Sequence, residues 1–157
     1  IVDTSPCTYQ LHNPHLGLNE SSIKKLEKMK IVDLVQYLKE CVKNSELPKL
    51  DYDIAIHPTC STEKMTQGTD LKTLAEICCT SVHLPKDWGC CGFAGDKGLY
   101  YPELNKAATN YPTNDLKNIK YGFSTSRTCE VGMMTHSNIN YKSIAYLVRD
   151  YLYQTVK

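Results

Sequence analysis

Apolar and polar positions along the chain follow two periods, and the switches between them mark out an alternating order of strands and helices. Tyr52-Asp53-Ile54-Ala55-Ile56-His57 is a short apolar run stopped by Pro58, as expected of a buried strand. Ser81-Val82-His83-Leu84 before Pro85, and Lys120-Tyr121-Gly122-Phe123-Ser124, read the same way. Ile1 to Thr4 gives a fourth candidate, ending at Ser5-Pro6-Cys7. Between these runs the period becomes helical. Leu18-Asn19-Glu20-Ser21-Ser22 supplies cap residues for a helix with Ile23, Leu26 and Met29 on one face. A second helix starts at Asp33, with Leu34, Val35, Leu38, Cys41 and Val42 at helical spacing. A third spans Thr69 to Cys78, and a fourth begins near Pro102-Glu103. The last carries Ile144, Leu147, Val148, Tyr151 and Leu152 as a core-facing stripe.

Helices recurring between successive strands imply an α/β fold, a mostly parallel sheet of about four strands with helices on both faces. In such a sheet the carboxyl ends of the strands share one edge, and ligand sites form there. The cysteines fall at that edge. Cys60 lies just after the strand ending at His57, Cys90 and Cys91 follow the strand Ser81 to Leu84, and Cys129 follows the strand ending near Ser124. Cys7 follows the first strand in the same way. Thiolates are soft ligands suited to iron–sulfur clusters and zinc, so this convergence predicts a metal site. Cys41, on an apolar helix face, and Cys78-Cys79, at a helix end, are expected to be packing thiols. His57 sits three residues before Cys60, within reach of the site, although a strand-terminal histidine bonded to backbone is the plainer reading.

Composition narrows the classes. The chain has 157 residues, of which 41% are hydrophobic and 22% charged, enough for one domain with its own core. A formal net charge of +1 gives no electrostatic reason to expect nucleic acid or an anionic membrane as partner. No apolar run approaches the roughly 20 residues of a membrane helix. Eight cysteines, including the vicinal pairs Cys78-Cys79 and Cys90-Cys91, suit metal or redox chemistry in a cytoplasmic protein better than a disulfide framework. There is no glycine-rich dinucleotide fingerprint after a strand and no Walker-type phosphate loop. A hydrolytic nucleophile at Cys90 or Cys129, paired with His57 or His136, lacks an evident third orienting group.

His57-Pro-Thr-Cys60-Ser, Cys90-Cys91-Gly-Phe-Ala-Gly-Asp and Ser126-Arg-Thr-Cys129-Glu together resemble the cysteine-rich CCG domain. That domain occurs in the heterodisulfide reductases and in the iron–sulfur subunits of glycolate and lactate oxidases. The likeness extends to fused FAD-linked oxidases of the D-lactate dehydrogenase type, through Asp3-Thr-Ser-Pro-Cys7-Thr and Gly95-Asp-Lys-Gly-Leu-Tyr-Tyr-Pro-Glu-Leu. Here 29 residues separate Cys60 from Cys90 and 37 separate Cys91 from Cys129, near the family's spacing. The resemblance implies Cys60, Cys90, Cys91 and Cys129 as ligands of a [4Fe–4S] cluster, with zinc as the alternative. Where the family has Cys-x-x-Cys this chain has Ser126-Arg-Thr-Cys129, and the loss argues against a five-thiolate cluster.

On this reading residues 1–157 form a single CCG-type domain, the C-terminal fragment of a larger flavin and iron–sulfur oxidoreductase, with 1–17 the tail of a preceding repeat. The implied function is electron transfer within an FAD-linked 2-hydroxy-acid dehydrogenase. FAD would be bound only by the flavin domain of the parent protein, and a quinone or other carrier would accept the electrons. The isolated domain is not expected to be catalytic. A structural zinc domain and a thiol–disulfide module are the competing expectations. The expected location is cytoplasmic, with peripheral membrane association through the parent protein.

Overall fold

The structure, a computed structural model, describes residues 1–13, 17–85, 88–110 and 116–154. The strands are β1 (Leu50–His57), β2 (Cys79–His83), β3 (Tyr121–Ser124) and β4 (Asn140–Ser143). They form one parallel sheet in the order β2-β1-β3-β4. The parallel α/β expectation therefore holds, with a change of membership. Val2 makes only an isolated bridge to Asp33, and Ser5-Pro6-Cys7, expected to end a strand, instead opens the helix α1 (Ser5–His12). Proline is tolerated in a first helical turn because its missing N–H has no partner there anyway. Of the stretch 1–17, residues 14–16 lie outside the described residues.

The strand order matters for function. From β1 the chain moves to β2 on one side, then returns to place β3 on the other side of β1. The sheet thus reverses direction between β1 and β3, and the crevice beyond their carboxyl ends is where ligands bind in open parallel sheets. Ile56 pairs with Phe123 and His57 with Ser124 at that point, and the Ser124 hydroxyl donates to the His57 carbonyl at 2.8 Å.

The helices cover both faces. On one face α3 (Leu34–Val42), α5 (Gly68–Cys78) and α9 (Ile144–Tyr153) enclose Ile54 and Ile56 with Leu71, Leu74, Ile144 and Leu147. Asp33 caps α3 by accepting from the Val35 N–H at 3.0 Å, and Ser143 caps α9 by accepting from Ala145 N–H at 3.3 Å. Cys78 and Cys79 are buried in this core, as expected, and burial pushes both thiols up to about 12. Cys41 is a correction, being exposed at the edge of the α3 stripe.

The other face holds α8 (Arg127–His136) over β3 and β4, with Ala55, Phe93, Met133 and Tyr141 in a second core. Because side chains alternate along β1, Ile54 and Ile56 enter the first core while Ala55 and His57 point to the second. No helix among the described residues is long and apolar enough to cross a membrane.

Candidate metal centre

The four cysteines predicted as ligands reach the same crevice from three different strands. Cys60 opens the short helix α4 (Cys60–Lys64) directly after β1, and Thr59 caps that helix by accepting from Thr62 N–H at 3.2 Å. Cys90 and Cys91 lie in the loop after β2, and Cys129 sits in the first turn of α8 after β3. All four line one cavity of about 300 Å³ at the carboxyl edge of the sheet. Cys60 and Cys90 are exposed at its mouth, while Cys91 and Cys129 are buried at its base. Cys7, also expected at this edge, is exposed on α1 and does not line the cavity, although Thr4 and Pro6 beside it do.

The loops are held in register by buried hydroxyls. Thr62 and Thr125 meet at 3.1 Å, and Thr59 and Thr62 at 2.8 Å, tying the segment after β1 to the segment after β3. Asn105 on α7 (Pro102–Ala108) is almost fully buried and donates from Nδ2 to the Cys91 carbonyl at 2.5 Å. Gly92 adopts φ +70°, and a Cβ there would lie 2.6 Å from the Leu104 carbonyl, so only glycine lets the Cys91 loop rest on α7. Gly132 of α8 is equally constrained, because a Cβ would stand 2.8 Å from Asn105 Nδ2 and 2.9 Å from the Phe93 ring. The Cys-Cys-Gly loop and the helix bearing Cys129 are therefore packed against each other through Asn105 and Phe93.

The electrostatics single out Cys91 as the most acidic sulfur of the site. The Cys91 and Cys129 sulfur atoms are hydrogen-bonded to each other across 3.1 Å. That contact draws the Cys91 thiol well below its ordinary range despite burial, with the His57 ring adding to the effect, and it pushes Cys129 up together with burial. Cys129 also lies within the first turn of α8, whose unpaired N–H groups form the positive end of the helix. Cys90 is raised, chiefly by partial desolvation, although the Gly92 N–H reaches its sulfur at 3.4 Å. Arg127 lines the cavity, and its guanidinium is bonded to the buried carboxylate of Glu130 at 2.9 Å. Its charge is thus shared between the site and Glu130.

His57 departs from its plainer sequence reading. It is 1% exposed, and its Nε2 has no hydrogen-bond partner. A ligating atom from each of His57, Cys91 and Cys129 falls in a group whose members all lie within 4.8 Å of one another. The Trp88 ring meets the imidazole edge-on, with centroids 6.2 Å apart. A soft thiolate pair, a buried imidazole nitrogen and two further thiols at the mouth make a donor set that could hold a metal ion. Compared with known proteins, the chain matches no family model, no curated protein and no solved structure.

Proposed function

We propose that the chain is an iron–sulfur electron-transfer domain, with the cluster held by Cys60, Cys90, Cys91 and Cys129. The observation that carries this reading is that these four thiols, spread over three post-strand segments, line one cavity at the sheet's reversal point. Bound there, a [4Fe–4S] cluster would supply one-electron transfer. The protein's own contribution is positional. Thr59, Thr62 and Thr125 fix the spacing of the loops, Asn105 fixes the Cys91 backbone, and the first turn of α8 offsets negative charge on sulfur. Exposure of Cys60 and Cys90 leaves the mouth of the site open to an electron partner.

The resemblance to CCG domains supports a place in an FAD-linked 2-hydroxy-acid dehydrogenase. Flavin binding and substrate oxidation would belong to the parent protein, and a quinone or other carrier would receive the electrons. This reading keeps the domain cytoplasmic, with any membrane contact made peripherally through the parent. A structural zinc is the second reading, favoured by the tight grouping of His57, Cys91 and Cys129.

Potentiometric titration of the anaerobically reconstituted chain, followed by electron paramagnetic resonance, tests the proposal. A reversible one-electron couple is expected. Retention of zinc with no redox signal would select the second reading.

A further inference from the structure

A metal ligated by thiols alone would leave unused the buried imidazole that stands beside Cys91 and Cys129. His57 is the last residue of β1, on the strand face that also buries Ala55 among Cys91, Phe93 and Cys129. Leaving a buried nitrogen without a hydrogen bond costs about 1–3 kcal/mol, so proteins seldom keep one without a reason. The position is well determined. The carbonyl of His57 itself is held by the Ser124 hydroxyl, the ring is flanked by Trp88, and Pro58 and Thr59 behind it are buried. An alanine or leucine would fill such a place more cheaply than an imidazole.

We propose that His57 is a direct ligand through Nε2, forming with Cys91 and Cys129 the buried, fixed half of the metal centre. One of the solvent-facing thiols, Cys60 or Cys90, then completes a four-coordinate site. The inference rests on the second, single-metal reading above, because a [4Fe–4S] cluster takes all four of its ligands from the four cysteines. The chemistry of the group suits the role, because neutral imidazole is a common ligand for zinc and iron and carries no charge into the interior.

Cobalt(II) tests this on the full reduced chain, since thiolate-to-cobalt charge-transfer absorption reports sulfur ligands independently of histidine. Proton nuclear magnetic resonance of the loaded protein, with ¹⁵N-labelled histidine, reports the imidazole. A ligating ring shows its remaining N–H far outside the normal range, and that signal disappears in D₂O. We expect the charge-transfer band and one such N–H in the wild type. His57→Gln should keep the band, lose the N–H signal and bind cobalt more than about tenfold more weakly. A charge-transfer band without any shifted imidazole N–H in the wild type would overturn the His57 assignment while leaving the thiolate site standing. Absence of the band itself would overturn the metal-centre reading, and this inference with it. The wild-type spectrum decides the matter even if His57→Gln fails to fold.

Discussion

The sulfur atoms of Cys91 and Cys129 stand 3.1 Å apart although 38 positions separate them in sequence. One residue is presented by the loop after β2, the other by the first turn of α8, and the two meet only because the sheet reverses between β1 and β3. The two sulfurs are hydrogen-bonded to each other. Such a pair is poised either to bind metal or to oxidise. Treatment of the metal-free chain with glutathione disulfide is therefore expected to link Cys91 to Cys129, each protein disulfide formed releasing two molecules of glutathione. Metal loading beforehand should prevent it. Peptide mapping by mass spectrometry reads the pairing, and a dominant bridge involving Cys41 would contradict the geometry.

Asn105 is not an expected ligand, yet its side chain holds the Cys91 carbonyl. Asn105→Ala leaves every donor atom in place and removes only this support. Metal affinity is expected to fall about 10–100-fold, the range seen when outer-sphere partners are lost. The orphaned carbonyl should also cost about 1–3 kcal/mol of stability. Competition titration and denaturant melts measure the two effects. Unchanged affinity would mean that the Cys91 loop is held by other contacts.

Six of the eight thiols should separate into three classes of reactivity. Cys7 and Cys41 are exposed away from the cavity and should alkylate quickly with or without metal. Cys60 and Cys90 are exposed at its mouth and should become protected only when metal is bound. Cys78 and Cys79 should stay unmodified until the domain unfolds. Timed iodoacetamide labelling followed by mass spectrometry gives the order. Metal-dependent protection of Cys41 in place of Cys60 would contradict the site.

Cys78 and Cys79 also set an alkaline limit. Their folded-state values near 12 lie above the ordinary value of 9.0, so the native state holds protons that the unfolded chain releases. Their contribution is complete below about pH 9 and is lost as pH rises towards 12, by at most about 1.4 kcal/mol per pH unit for each thiol. Urea melts between pH 8 and 11 should show the decline, and Cys78→Ala with Cys79→Ala should flatten it. A stability that rises over that interval would have the wrong sign.

Much of this arrangement was legible in the chain. The apolar run ending at His57-Pro58 and the helical stripe from Ile144 gave β1 and α9, because burial on one face imposes a period that residue order displays. The convergence of Cys60, Cys90, Cys91 and Cys129 followed from parallel strands sharing a carboxyl edge. Other features were hidden. β4 is four residues long, Asn140-Tyr-Lys-Ser, and only Tyr141 is buried, so its pattern is too short to read. The helix α8 mixes Gly132 and polar residues with a weak apolar face, and its course is set by packing on Phe93 and Asn105. Cys41 sits at helical spacing with Leu34 and Leu38 but at the margin of the stripe, where one position decides exposure. The orphaned Nε2 of His57 depends on three segments meeting in space, and its only sequence signal was its distance of three residues from Cys60.

The most direct measurement is the iron, sulfide and zinc content of the full chain after anaerobic reconstitution, compared with Cys91→Ser, Cys129→Ser and Cys41→Ser. The wild type and Cys41→Ser are expected to retain about four iron and four sulfide per chain, as a [4Fe–4S] cluster requires. Cys91→Ser and Cys129→Ser should lose them while keeping the fold, as judged by circular dichroism. Equal iron and sulfide in folded wild type and folded Cys129→Ser, or none of either metal in the wild type, would contradict the account.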